Sequence, residues 1–71
     1  MKLKLSARNQ LKGTIKSITP GAVNSEVVIE IAAGVEVTAQ ITSNSVQRLG
    51  LKPGGTAYAV IKADSVMVGV D

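Results

Sequence analysis

The sequence predicts a small all-β domain carrying one short helix, and three observations lead there. Apolar and polar residues alternate with period two over most of the chain, the spacing that sends successive side chains to opposite faces of a strand. The apolar residues are Val, Ile, Leu and Ala, with Tyr58 the single aromatic, and such side chains suit thin sheets. Pro-Gly and Ala-Gly pairs punctuate the alternation where the chain must reverse.

In "KLKLSAR", Leu3, Leu5 and Ala7 fall on one face and Lys2, Lys4, Ser6 and Arg8 on the other, so Ser6 and Arg8 point the same way. The pattern resumes with Leu11, Gly13 and Ile15 against Lys12, Thr14 and Lys16. It runs to Pro20-Gly21, a pair that fits the central positions of a type II turn. Over residues 26–31, Val27, Ile29 and Ile31 oppose Glu26, Val28 and Glu30. Ala33-Gly34 then turns the chain into Val35, Val37, Ala39 and Ile41, which completes a hairpin.

At "TSNSVQRLG" the period changes: Ser43 or Asn44 caps a short helical turn, Val46 and Leu49 are three apart, and Gly50 ends it. Pro53-Gly54 makes a second turn, after which "TAYAVIK" and "SVMVGV" read as two more strands separated near Ala63-Asp64. The sum is about five or six strands and one short helix, which fits a small β-barrel of the oligomer-binding type, the OB fold. Neither an internal repeat nor a low-complexity linker divides the 71 residues. One domain of that size has a marginal core, so association between copies is expected.

Composition narrows the chemistry. The chain has no His and no Cys, so neither an imidazole base, a thiolate nucleophile nor the common transition-metal ligands are present. The five acidic residues are scattered, with Glu26, Glu30 and Glu36 on solvated strand faces and Asp64 and Asp71 separated by a strand. That argues against a calcium or magnesium cage. "KPGGT" lacks the lysine-serine ending of a nucleotide-binding loop and is explained as a turn. A lone Lys62 at a strand end is better read as a solvated or anion-pairing residue than as a Schiff-base former. The expectation is a protein that binds rather than catalyses.

With no Cys, a membrane-length apolar stretch or a cleavable leader in "MKLKLSARN", the expected location is cytoplasmic and no membrane partner is expected. The formal charge of +3 suits an anionic partner. Nucleic acid is the rival reading, since OB folds commonly bind it. That surface needs aromatic platforms, however, and only Tyr58 is on hand, so no nucleic-acid partner is expected.

What remains are hydrogen-bond donors: Ser6, Arg8 and Asn9 near the start, Thr42, Ser43, Asn44 and Ser45 at the helix entrance, and Lys62 with Ser65 near the last turn. Hydroxyls at a helix start can cap it or join its free amides around an anion. Taken singly, "TSNS" is explained by a cap and Arg8 by a surface charge.

Taken together, "SARNQLKG", "VNSEVVIEI", "VTAQITSNSVQRLGLKPG" and "AVIKADSVMV" closely resemble the molbindin family, the small molybdate-binding Mop proteins of bacteria. The resemblance runs from about Lys4 to Val70 and makes residues 1–71 a single molbindin (Mop/TOBE-like) domain. It implies an all-β, five-stranded OB-fold-like barrel with one short helix, assembled as an intertwined homo-oligomer, a hexamer built as a trimer of dimers. Molybdate or tungstate is the implied ligand, held between subunits, with no organic cofactor.

By the resemblance, Ser6, the backbone of Ala7 and Arg8 contact the oxyanion from the first strand. Thr42 and Ser45 supply hydroxyls, and Lys62 completes the pocket with the backbone of Ala63, where relatives often carry Ser. A second oxyanion site is implied at Val23, Asn24 and Ser25. Molybdate carries no proton at neutral pH, so a pocket of donors satisfies it, each charge-assisted bond contributing about 1.5–3 kcal/mol. Hydrogen phosphate would leave its own proton without an acceptor there.

Overall fold

The structure, a computed structural model, describes residues 4–71. Its elements are β1 (Asn9–Thr19), β2 (Asn24–Ala32), β3 (Val35–Thr42), α1 (Ser43–Arg48) and β4 (Thr56–Ile61), followed by a 3-10 turn at Ala63–Ser65. The strands form one antiparallel sheet in the order β3-β2-β1-β4.

Among the described residues four strands are therefore present where five were expected. Lys4 to Arg8 and residues 66–71 lie outside the sheet, although both alternate in sequence. An extended segment becomes a strand only by pairing its amides and carbonyls with a neighbour, and neither segment is paired in this sheet. The part of the expected first strand that falls on residues 2 and 3 lies outside the described residues. The expected break before Leu11 is also absent, since β1 runs on continuously from Asn9.

β1 is the strand with two partners. Its first half pairs with β4, from Asn9 opposite Ile61 to Thr14 opposite Thr56, and its second half pairs with β2, from Thr14 opposite Glu30 to Thr19 opposite Glu26. Between Ile15 and Ser17 the register shifts, leaving Lys16 as the extra residue of a β-bulge. Close to that bend sits Gly13, where a Cβ would stand 2.5 Å from the carbonyl oxygen of Glu30 and 2.8 Å from Cγ2 of Ile29. Only glycine lets the two backbones come this near.

The core is small. Ile15, Val27, Ile29 and Ala59 are buried, with Ile18, Ile31, Val37, Ile41, Val46, Leu51 and Ala57 half-buried around them. Val27, Ile29 and Ile31 share the inward face of β2, as their alternation predicts. The cap lies one residue before Ser43 and two before Asn44, the two expected: Thr42 is the N-cap and its Oγ1 accepts the Ser45 N–H at 3.1 Å. It ends in a Schellman motif. Gly50, at φ 65°, donates to the Gln47 carbonyl, and Leu51 donates to that of Val46.

Pro20-Gly21 does not form the expected type II turn, because Gly21 is not among the glycines with positive φ. A Cβ there would lie 2.2 Å from the Asn24 carbonyl oxygen, so its smallness rather than its freedom is used.

Glu30 and Glu36 stand opposite each other on β2 and β3, a repulsive pairing. The ion pair of Lys16 with Glu36 offsets it. The hydrogen bond and the charge of Glu36, aided by Glu30, raise the Lys16 ammonium above the ordinary lysine range.

Two predictions follow from the bend. Gly13→Ala should destabilise the fold by about 2 kcal/mol, through the clash with Glu30, in urea or thermal unfolding. A raised lysine contributes stability that is complete below its unfolded value and is lost as pH climbs through its folded one. The melting temperatures of the wild type and Lys16→Met, followed by circular dichroism, should therefore converge only above the lysine range.

Candidate functional site

The β1–β4 register dictates which residues meet at one end of the sheet. Asn9 opposite Ile61 is the last rung of that ladder, so the chain just before β1 and the chain just after β4 emerge side by side. There Ser6, Ala7, Arg8, Lys62, Ala63 and Asp64 line a cavity of about 290 Å³. The resemblance points to all of them except Asp64.

Both walls are held by local hydrogen bonds. Gln10 donates from Nε2 to the Ala7 carbonyl at 2.8 Å. The peptide that follows is planar and trans, so fixing this carbonyl also fixes the direction of the Arg8 N–H. On the other wall Lys62 is extended, at φ −65° and ψ 139°, and enters the 3-10 turn. The Ser65 N–H closes that turn on the Lys62 carbonyl at 2.9 Å. The side chains of Arg8, Lys62 and Asp64 are exposed and form no ion pair or hydrogen bond among the described residues. Two cations and a hydroxyl thus line one concave surface with their donors unengaged, an arrangement suited to a small oxyanion.

Thr42 and Ser45 are not on that wall. Thr42 stands opposite Asn24 in the β2–β3 ladder, and the Ser43 N–H donates to the Val23 carbonyl at 2.8 Å. The structure therefore gathers Thr42 and Ser45 with Val23, Asn24 and Ser25 as a second cluster. Within it the Thr42 hydroxyl donates to Ser45 Oγ at 2.7 Å, which leaves the Ser45 hydroxyl hydrogen without an acceptor among the described residues. Val23 and Asn24 are exposed, whereas Ser25 is buried. The Ser43 hydroxyl donates to the Gly21 carbonyl at 2.6 Å, so in its 2.7 Å contact with Ser25 it is Ser25 that donates. The Ser25 proton is thereby committed inside the fold.

Sequence reasoning left out Gln10 as a positioning group and Asp64 as a wall. The glutamine is visible in "SARNQLKG", but its bond three residues back exists only because the chain bends before β1. Asp64 needs the register of β4 against β1 before it can be placed.

A second cavity, of about 450 Å³ and mainly apolar, runs between the two edge strands, with Val37 and Ile41 of β3 on one side, Tyr58 and Ile61 of β4 on the other, and Val27 and Ile29 on its floor. Among the described residues no group of His, Cys, Asp or Glu could hold a metal cation, and no helix is long and apolar enough to cross a membrane.

A curled antiparallel sheet with one short helix and a donor-lined cavity at its end defines the class: a small OB-type binding module. Residues 5–68 match the family described as the TOBE domain. The chain belongs to the molbindin (Mop) family of TOBE-domain proteins.

The chain is 49% identical to the "probable molybdenum-pterin-binding protein" of Haemophilus influenzae over 69 residues, 97% of this chain and 100% of that protein. The solved structure of a molybdate-binding protein from Sporomusa ovata superimposes with a TM-score of 0.88 at 38% identity, covering 96% of this chain and 100% of the other. ModG, a cytoplasmic molybdate-binding protein solved with molybdate bound, gives a TM-score of 0.91 at 52% identity over 97% of this chain and 49% of its own.

Proposed function

We propose that this chain binds molybdate, and tungstate with it, at the cavity between residues 6–8 and 62–63, and serves intracellular molybdenum storage, buffering or homeostasis. The observation that carries this reading is the cavity itself, where Ser6, Arg8 and Lys62 converge from two chain segments with donors to spare. The molybdate-binding relatives of the same fold support it. A tetrahedral dianion offers only acceptors. The Ser6 hydroxyl, the guanidinium, the ammonium and the amides of Ala7 and Ala63 are the groups that answer it. The protein acts by binding, without an organic cofactor, in the cytoplasm.

The site is completed between copies in a homo-oligomer, a hexamer built as a trimer of dimers. Thr42 and Ser45 of a neighbouring copy bring hydroxyls to the oxyanion, and Ser45 has the spare proton for it. A second oxyanion position uses Val23 and Asn24, with Ser25 shaping it from behind.

The assembly is intertwined. The chain leaves the turn extended at Val66, and beyond it Met67, Val68 and Val70 are more than nine-tenths exposed. The apolar cavity between β3 and β4 needs an alternating apolar strand to fill it and edges to pair with. The same segment of a second copy is that strand.

Isothermal titration with molybdate, tungstate, sulfate and phosphate tests the ligand. Molybdate and tungstate should bind near one per chain or slightly above. Arg8→Ala should weaken them by about ten- to a hundredfold, the loss of one charge-assisted contact. A wild-type protein that takes up no oxyanion would overturn the reading. Val68→Asp, which places a charge in the apolar seam, should reduce the assembly to smaller species in light scattering. An unchanged mass would remove the intertwined arrangement.

A further inference from the structure

Among the described residues, Asp64 is the only anionic side chain lining the 290 Å³ cavity, which it shares with Ser6, Arg8 and Lys62. We propose that Asp64 is a specificity-determining residue of this site: its carboxylate opposes fully deprotonated dianions, accepts the proton of a protonated one, and so limits the preference for molybdate over hydrogen phosphate. The inference rests on the reading of this cavity as an oxyanion site.

Its placement is set by the backbone. Asp64 is the middle residue of the 3-10 turn at Ala63–Ser65, which is closed by Ser65 N–H to Lys62 at 2.9 Å and Val66 N–H to Ala63 at 3.3 Å. The turn follows Lys62 directly, so a residue that grips the anion and one that repels it are carried on the same short piece of chain. Arg8 and Lys62 line the same cavity, yet neither pairs with Asp64 among the described residues. The charge and lone pairs of the carboxylate therefore remain available to whatever enters.

The chemistry separates two kinds of oxyanion. Molybdate and sulfate present only acceptors, so beside Asp64 they meet a like charge and no donor. Hydrogen phosphate also meets the charge, but its hydroxyl has a proton to give, and a carboxylate is a strong acceptor for it. A lining made only of donors rejects hydrogen phosphate because its proton goes unpaired. Asp64 supplies the missing acceptor, so the wild-type site discriminates less than its donors alone would. Asparagine at the same position keeps the shape, removes the charge and offers an N–H.

The test is titration of the wild type and Asp64→Asn with molybdate, sulfate and phosphate at one neutral pH and one ionic strength, with the assembly checked by light scattering. Asp64→Asn should bind molybdate and sulfate about tenfold more tightly and phosphate by clearly less, which raises the molybdate-to-phosphate ratio. Asp64→Ala removes the charge without adding a donor and should give a smaller gain in the same direction. Molybdate binding that is unchanged or weaker in Asp64→Asn, or an equal gain for all three anions, overturns the proposal. Uptake by the wild type that is lost in Arg8→Ala keeps the oxyanion site itself standing in that event. A wild type that takes up none of the three anions removes both.

Discussion

The eleven residues of β1 pair first with β4 and then with β2, and one strand can do both because Gly13 and the bulge at Lys16 let it bend. At Gly13 the backbone of β2 comes closer than any side chain would permit. Past the bulge, the inward face of the strand is restored for Ile18. Without the bend, β2 and β4 would lie flat on either side of β1 and Ile15, Val27, Ile29 and Ala59 would have no common interior. The same strand fixes the β4 register, and with it the meeting of Arg8 and Lys62. Core and site therefore share one cause.

Curling an open four-stranded sheet buries little and leaves two edges. Four apolar side chains are buried among the described residues, and both edge strands look onto one apolar cavity. An unpaired edge beside apolar surface is a liability that folded proteins cover or charge. Here the edges carry Val35, Val37, Ile41 and Val60, with few charges to discourage pairing. A chain of this size is expected to draw stability from association. The exposed valines after the last turn have the alternation that such a seam requires.

Much of this was legible from the order of residues. The β2–β3 hairpin, the short helix and its Gly50 stop, and β4 follow from period-two alternation and turn chemistry, which are local. The two end segments lie outside the sheet for a physical reason. Alternation in "KLKLSAR" and "SVMVGV" reports a capacity to pair, whereas strand formation also needs a partner edge, and no single chain's pattern says where that edge is.

The site divides in the same way. Donor-rich stretches stand out by composition, but that residues 6–8 face 62–64, while Thr42 faces Asn24, is a matter of register between distant segments. Asp64 is the clearest case, an ordinary surface aspartate until the fold sets it on the wall of a cavity that Arg8 and Lys62 also line.

The division of donors into two clusters within one chain bears on how ligand and assembly relate. A tetrahedral oxyanion presents four oxygens, each with more than one lone pair, and under the proposed function the wall formed by Ser6, Arg8 and Lys62 would meet it from one side. Water can satisfy the remaining oxygens, but only at the high dielectric that weakens every charge-assisted bond. The Ser45 hydroxyl, with a proton left over, lies elsewhere on the same chain, and under the proposed function it reaches the anion only from a neighbour. Ligand affinity and subunit affinity are then two views of one coupling free energy, since whatever strengthens the interface strengthens the site and the reverse holds equally. Under the same proposal Asp64 enters this balance, because a charge that loosens the hold on the anion would loosen, through it, the join between copies.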